Sequence, residues 1–142
     1  MTEKILLVDD EKDFIETLSQ RIAIRGIEVS STTSAKRAIE KVAEESYDAI
    51  ILDLQMPEMD GLEVLKTIKK SNPELQIIVL TGHATVKKAI EAMKLGALDL
   101  IEKPVDLDTL MEKIKKAQIK KLVLVEKKTE KKIKNIMSRK SW

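Results

Sequence analysis

The sequence predicts an α/β protein, a doubly wound three-layer sandwich in which helices cover both faces of a five-stranded parallel sheet. Short apolar runs without polar alternation recur along the chain, as is typical of strands buried on both faces. A segment with apolar residues at helical spacing follows each run. Strand and helix therefore alternate five times, and strands joined through helices run parallel.

The predicted elements occupy most of the chain. The predicted strands are Ile5–Val8, Ile27–Ser30, Ala49–Leu52, Ile77–Leu80 and a weaker fifth run, Leu98–Ile101. The first helix is expected to end at Gly26, and the second to begin after an N-cap at Ser34. The third is expected to stop at Asn72-Pro73. A fourth helix is predicted from Ala84 to Leu95, and a fifth begins near Asp106.

Composition restricts the class of protein. The chain has 142 residues, enough for one domain with a real core, and it contains no cysteine for disulfides or thiolate metal sites. No run reaches the roughly 18 apolar residues of a membrane helix, and the N-terminus does not resemble a secretory signal. We therefore expect a cytoplasmic protein that does not bind membranes. Only 2% of the residues are aromatic, which argues against stacking on single-stranded nucleic acid.

Polar side chains follow the predicted strands at the points where they end. These residues are Asp9 and Asp10, Asp53, Thr81 with Gly82, and Lys103. Because ligands of doubly wound sheets bind beyond the carboxyl ends of the strands, we expect these side chains to form one site.

Three carboxylates at one edge favour a divalent cation. Two carboxylates about 4 Å apart repel each other by roughly 4 kcal/mol at an effective dielectric of 20. All-oxygen ligands favour Mg²⁺, with Mn²⁺ as an alternative, over Zn²⁺. Magnesium held in this way usually serves a phosphate.

The stretch IILDLQMPEMDG places Asp53 at the end of a buried strand and breaks the backbone directly after it. Such a carboxylate can attack phosphorus and form an aspartyl phosphate. Phosphoryl transfer mostly needs positioning and charge neutralisation, which Mg²⁺ and Lys103 can supply. Thr81 can donate a hydrogen bond to a phosphoryl oxygen, and Gly82 keeps side-chain bulk out of the approach. The turn after Asp53 can also aim a backbone carbonyl at the metal.

The chain resembles the receiver domain of two-component response regulators over about residues 3 to 118. The resemblance rests on LLVDDE, IILDLQMPEMDG, VLTGHA and GALDLIEKP, which occur in the family's order. It implies a flavodoxin-like sheet of strand order 2-1-3-4-5, as in chemotaxis receivers. It also implies a phosphoacceptor protein rather than an enzyme, one that assists its own phosphorylation and dephosphorylation.

The resemblance implies a role for each matching residue. Asp53 would be the phosphoacceptor and would share Mg²⁺ with Asp10 and the backbone carbonyl of Gln55. Asp9 would lie nearby and act through water. Thr81 and Lys103 would bind the phosphoryl group.

Four positions around this site concern switching or local geometry. Lys103-Pro104 resembles the family's cis-proline turn. Leu100 stands where the family usually has a Tyr or Phe whose ring carries the phosphorylation signal. The route by which this chain passes on that signal is therefore expected to differ from the family's. His83 is interpreted as an exposed loop residue, and the alternative is a side chain at the rim that tunes hydrolysis. Gln55 is likewise interpreted as an exposed loop residue, with a side chain at the rim that tunes hydrolysis as the alternative.

The C-terminal part of the chain differs in charge from the rest. Residues 1–105 carry 14 basic and 19 acidic side chains, whereas residues 106–142 carry 12 and 5. We assign residues 1–118 to a receiver and residues 119–142 to a basic extension, with no separate output domain.

The form of the extension is left open by its pattern. The last helix can continue and pair with another copy, because Leu122, Val125, Thr129 and Ile136 lie on one side of it. Alternatively, the LVLV run at 122–125 can form a strand in a docked tail.

Three functional hypotheses follow. The first is a stand-alone response regulator that receives its phosphoryl group from a sensor histidine kinase or phosphotransfer protein and then changes its binding to a downstream protein or to itself. The second is an interaction module that works without phosphorylation through the basic tail, on an acidic protein or a nucleic acid. The third is the receiver part of a longer transcriptional regulator.

Overall fold

A computed structural model describes residues 3–82 and 86–139. The strands are β1 (Lys4–Val8), β2 (Glu28–Thr32), β3 (Ala49–Asp53), β4 (Gln76–Thr81) and β5 (Asp99–Glu102). The helices that follow them are α1 (Lys12–Ile24), α2 (Ala35–Glu44), α3 (Gly61–Ser71), α4 (Val86–Lys94) and α5 (Leu107–Arg139). The predicted alternation of five strands and five helices is confirmed.

The five strands form one parallel sheet of order β2-β1-β3-β4-β5, which confirms the predicted topology. The order reverses between β1 and β3, so the crevice beyond their carboxyl ends is the expected ligand site. The strand register aligns these ends. Asp53 pairs with Leu80 on β4, and Thr81 pairs with Glu102 on β5.

The sheet is buried on both faces because successive strand residues point to opposite sides. One set of strand residues packs under α2, α3 and α4, and it includes Leu6, Ile50, Leu52, Ile77 and Val79. The alternate set packs under α1 and α5, and it includes Ile5, Leu7, Ile51, Ile78 and Leu80. This two-sided burial explains why the strands appear in the sequence as unbroken apolar runs.

Local signals in the sequence set several helix ends. The Ser34 hydroxyl accepts a hydrogen bond from the Arg37 amide at 3.1 Å and caps α2 as predicted. Gly26 has a φ of +88°, the left-handed conformation that glycine adopts without strain at a helix end. The α3 helix ends at Ser71, two residues before Pro73.

Two strands are displaced from their predicted bounds. The second strand is Glu28–Thr32 rather than Ile27–Ser30, and the fifth is Asp99–Glu102 rather than Leu98–Ile101. Pairing with β1 extends β2 through polar residues, because backbone hydrogen bonds to a neighbouring strand do not require apolar side chains. The predicted start of the fourth helix at Ala84 lies outside the described residues.

The last helix is continuous for 33 residues. The alternative prediction of a strand at 122–125 is therefore wrong. The apolar LVLV run follows about four helical turns, residues 107–121, that contain no Gly or Pro, so nothing in the chain interrupts the helix before it. In the described part of the chain, no helix combines the length and the apolar character needed to cross a membrane.

Candidate functional site

The three predicted carboxylates meet at the carboxyl edge of the sheet. Asp9 and Asp10 directly follow β1, and Asp53 ends the adjacent strand β3. One carboxylate oxygen from each of the three lies within 4.8 Å of the others. Asp9 is fully buried and Asp53 is 6% exposed, whereas Asp10 is open to solvent. This arrangement offers hard oxygen ligands from one side and keeps an open side for a second molecule.

Lys103 reaches the cluster from the loop that follows β5. Its ammonium lies 2.7 Å from Asp9 Oδ2 and 3.8 Å from Asp53 Oδ2. Its backbone amide donates to the Thr81 carbonyl at 2.8 Å, so the lysine is fixed to β4 as well. The peptide bond between Lys103 and Pro104 is cis, as the resemblance implies. One cation therefore stands beside two buried carboxylates.

The turn after Asp53 is closed by a contact that only glycine permits. A Cβ atom on Gly61 would lie 2.5 Å from the Cα of Leu54, so the loop that includes residues 54–60 returns onto its own start. The Gly61 amide donates to the Leu54 carbonyl at 3.3 Å. The Gln55 amide donates to Asp53 Oδ1 at 3.1 Å. The turn thus holds the Asp53 side chain in place and leaves its second oxygen beside Lys103.

Burial and like charges raise the pKa of the Asp53 carboxyl to about 6. Burial is the largest cause, and the charges of Asp9 and Asp10 add to it, while the Gln55 amide and the Lys103 charge oppose it. Burial also raises the pKa of Asp9, against the hydrogen bond from Lys103. Burial lowers the pKa of Lys103, but its contacts with Asp9 and Asp53 outweigh this and raise it.

Thr81 and Gly82 complete the edge at the end of β4. Thr81 is buried, and its hydroxyl donates to the Gly82 carbonyl at 3.0 Å. Gly82 lines a cavity of about 540 Å³ together with Asp10, Asp53 and Lys103. A Cβ on Gly82 would meet no atom of the described residues within 4 Å, so the packing of those residues does not require glycine at this position.

The structure adds contacts that the sequence interpretation missed. The Glu11 carboxylate accepts from Lys103 Nζ at 3.3 Å, and the Glu11 amide donates to Asp9 Oδ1 at 2.9 Å. The ring of Phe14 lies under the Lys103 ammonium at 4.5 Å from its centroid. The run DDE and the only phenylalanine, one helical turn further on, were the available signals. Lys88 on α4 also lines the cavity.

Leu100, Gln55 and His83 are the three positions that the sequence predicted to take part in switching or tuning. Leu100 is partly buried on β5, pairs with Val79 and packs against the core under α2, α3 and α4. Gln55 is exposed and lines the cavity. His83 lies outside the described residues. Leucine therefore occupies the position on β5 where the family usually has an aromatic side chain.

Comparison with known proteins identifies the family. A family model described as the response regulator receiver domain matches residues 5–115. The chain belongs to this family. Receiver domains are signalling phosphoacceptors of two-component systems and bind Mg²⁺ at an acidic pocket, and this chain has a cluster of Asp9, Asp10 and Asp53.

Curated relatives are longer than this chain. The transcriptional regulatory protein ZraR of Escherichia coli strain K12 is 38% identical over 113 residues, which is 80% of this chain and 26% of ZraR. A putative NtrX-like response regulator of Rickettsia bellii is 38% identical over 115 residues, 80% of this chain and 24% of the relative. The chain thus spans about a quarter of the length of these relatives.

Solved structures share the receiver fold. A response regulator receiver domain protein from Clostridium thermocellum superposes with a TM-score of 0.83 at 35% identity, covering 86% of this chain and 98% of the other. NtrX from Brucella abortus superposes with a TM-score of 0.83 at 30% identity, covering 89% of this chain and 29% of NtrX.

Proposed function

We propose that this receiver accepts a phosphoryl group on Asp53 from the phosphohistidine of a sensor histidine kinase or of a phosphotransfer protein. The observation that carries the proposal is the position of Asp53 Oδ2. It lies 3.8 Å from the Lys103 ammonium, and Asp53 stands in a cluster with Asp9 and Asp10 at the open carboxyl edge of the sheet. A carboxylate oxygen beside a cation and a hard-metal ligand set is what aspartyl phosphorylation requires.

The donor set fits Mg²⁺. Three carboxylates within 4.8 Å of one another, with no cysteine anywhere in the chain, favour a hard cation that prefers oxygen ligands. Asp10, Asp53 and the Gln55 carbonyl would hold the ion, with Asp9 acting through water, and Mn²⁺ would serve in its place. When bound, the ion neutralises negative charge on the transferred group.

The side chains of this receiver then perform the transfer. An Asp53 oxygen forms a bond to phosphorus while the bond from phosphorus to the kinase imidazole nitrogen breaks, and the imidazole takes up a proton. Lys103, whose ammonium lies 3.8 Å from Asp53 Oδ2, neutralises charge on the phosphoryl oxygens. Thr81 donates its hydroxyl to a phosphoryl oxygen, which would require it to leave its present contact with the Gly82 carbonyl. Gly82 leaves the approach open.

The change in partner binding would follow from the contacts that Thr81 and Lys103 make with the phosphoryl group. A phosphoryl group shifts a conformational equilibrium only through contacts that differ between the two states. Thr81 and Lys103 are the side chains that would make such contacts. The modified form would then bind a downstream protein, or another copy of itself, with altered affinity. Leu100 implies that this signal does not pass through an aromatic switch on β5.

The lengths of the relatives favour a second form of this proposal. ZraR and the NtrX-like protein continue well beyond the segment that matches this chain. Residues 1–118 would then be the receiver, and residues 119–142 would lead towards the rest of a longer transcriptional regulator. The phosphorylation chemistry is the same in both forms.

The experiment is intact-mass measurement after incubation with a small-molecule phosphodonor and Mg²⁺. One labile phosphoryl adduct is expected on the wild type and none on Asp53→Asn. Asp13→Asn, which changes an exposed carboxylate on α1, serves as the matched control and is expected to be labelled normally. Equal labelling of wild type and Asp53→Asn would contradict the assignment of the phosphoacceptor.

A further inference from the structure

The last part of α5 lies beyond the body of the receiver. The last side chains of α5 that contact the body are Lys121, which donates to Ser46 and Tyr47, and Lys128, which pairs with Glu74 at 2.7 Å. Every residue from Glu126 to Arg139 is exposed. These contacts lie at the edge of the sheet opposite Asp53, because Tyr47 and Glu74 precede β3 and β4. This part of α5 is therefore remote from the phosphorylation site.

An apolar seam runs along the exposed side of this helix. Its positions alternate in steps of three and four residues, the spacing of a coiled-coil contact. They are Ile119, Leu122, Glu126, Thr129, Ile133 and Ile136. The four apolar members are 52–67% exposed. The seam lies roughly 120° around the helix from Leu110, Ile114 and Ala117, which pack on the sheet. Val125 is 42% exposed, less than the apolar members of the seam, and is therefore placed on the flank of the seam rather than within it.

We propose that this seam pairs with the same seam of a second copy in antiparallel orientation. In this antiparallel pair, Ile119 of one copy faces Ile136 of the other. In the same way Leu122 faces Ile133, and Glu126 faces Thr129. All four apolar members then meet apolar partners, and each glutamate meets the Thr129 hydroxyl, which donates to the Val125 carbonyl at 3.0 Å in the single chain and would turn to the carboxylate in the pair. In a parallel pair each residue would face its own copy, so two Glu126 carboxylates would meet in the contact and repel.

The self-complementarity of the seam favours a second copy over other occupants. The polar pair Glu126 and Thr129 lies at the centre of the seam, with two apolar residues on each side. A helix face that inserts into lipid keeps its centre apolar, so the central glutamate argues against a membrane surface. The residues that flank the seam are also compatible with the antiparallel pair. Val123 would face Glu130 of the other copy, and Val125 would face the aliphatic stem of Lys132 of the other copy. No two like charges meet across them.

Cysteine cross-linking of the full chain tests both pairing and orientation, since the chain contains no cysteine of its own. In the antiparallel pair, position 122 faces position 133 of the other copy. Two copies of position 122 lie about 16 Å apart along the helix, too far for a disulfide. A mixture of Leu122→Cys and Ile133→Cys is therefore expected to form a disulfide-linked dimer on mild oxidation. Neither variant alone is expected to do so.

The control places cysteine on another side of the same helix. Lys131→Cys, mixed with either seam variant, is expected to remain uncross-linked. Cross-linking of Leu122→Cys alone, without enrichment in the mixture, would show a parallel pair and overturn the orientation. Equal cross-linking of the Lys131→Cys mixtures would show random collision and overturn the pairing.

A charge substitution provides an independent test by sedimentation equilibrium. Thr129→Lys sets a lysine against Glu126 of the other copy in the antiparallel pair, and is expected to tighten the dimer. In a parallel pair the same substitution would bring two lysines together and weaken it. Ile133→Lys is expected to abolish the dimer in either orientation. A wild type that stays monomeric and instead binds vesicles of anionic lipid through Ile133 would overturn the proposal.

Discussion

Replacing Asp53 by asparagine should stabilise the receiver when divalent cations are removed with EDTA. The pKa of the Asp53 carboxyl rises from 3.8 to about 6 on folding, mainly through burial and the nearby Asp9 charge. The folded state therefore binds this proton more tightly than the unfolded state. The free energy of unfolding falls as pH rises from about 4 to about 6, and the full penalty is present above that range.

The magnitude follows from the size of the shift. A shift of roughly two pKa units corresponds to about 3 kcal/mol, at 1.36 kcal/mol per unit. Because asparagine carries no charge, Asp53→Asn removes this penalty, and we expect a gain of about 2–3 kcal/mol at pH 7.5. At pH 5 the folded-state carboxyl is largely protonated but the unfolded-state carboxyl is largely ionised, so about half of the penalty remains and the advantage of the variant should fall to about 1.5 kcal/mol.

Urea denaturation followed by circular dichroism at both pH values measures the two differences. Asp13→Asn on the exposed surface of α1 is the matched control and should lower the free energy of unfolding by no more than about 1 kcal/mol, because it removes only a first-turn charge. A variant that is no more stable than the wild type at pH 7.5 would refute the reasoning. So would an advantage that is equally large at pH 5, because burial of an ionised carboxylate would then not be its cause.

Substitutions at three further positions test the site and its turn. Gly61→Ala should lower the free energy of unfolding by about 1–3 kcal/mol, measured by urea denaturation, because its Cβ would overlap the Leu54 backbone; unchanged stability would show that this loop moves freely. Phe14→Leu should slow phosphorylation by a small phosphodonor about two- to fivefold, since the ring no longer holds the Lys103 ammonium. Phe14→Tyr keeps a ring and should restore the rate, and equal slowing by both variants would exclude a role for the ring face. Asp10→Asn should weaken Mg²⁺ binding in calorimetry by about tenfold or more, and unchanged affinity would place the ion elsewhere.

Most of the architecture could be predicted from local patterns. Two-sided burial makes each strand a continuous apolar run, and the spacing of apolar residues marks each helix, so the order of elements was readable without any tertiary information. The parallel sheet then placed Asp9, Asp53 and Lys103 at one edge, because parallel strands all end on the same side.

Strand bounds were less predictable. The polar end of β2 extends to Thr32 only because β1 offers a neighbour whose backbone groups must be paired. The LVLV run at 122–125 was also difficult to assign. A short apolar run is compatible with a strand or a helix until the surrounding chain is considered. Local composition alone does not distinguish these cases.

The sequence by itself determined the order of the elements and the residue types at the strand ends, since both depend on neighbours in the chain. Only the tertiary structure decided which groups surround Lys103. Glu11 and Phe14 reach it from the start of α1, about 90 residues away in sequence, at 3.3 and 4.5 Å. Such contacts depend on how α1 packs against the loop after β5. That packing is set by the whole core rather than by any local pattern.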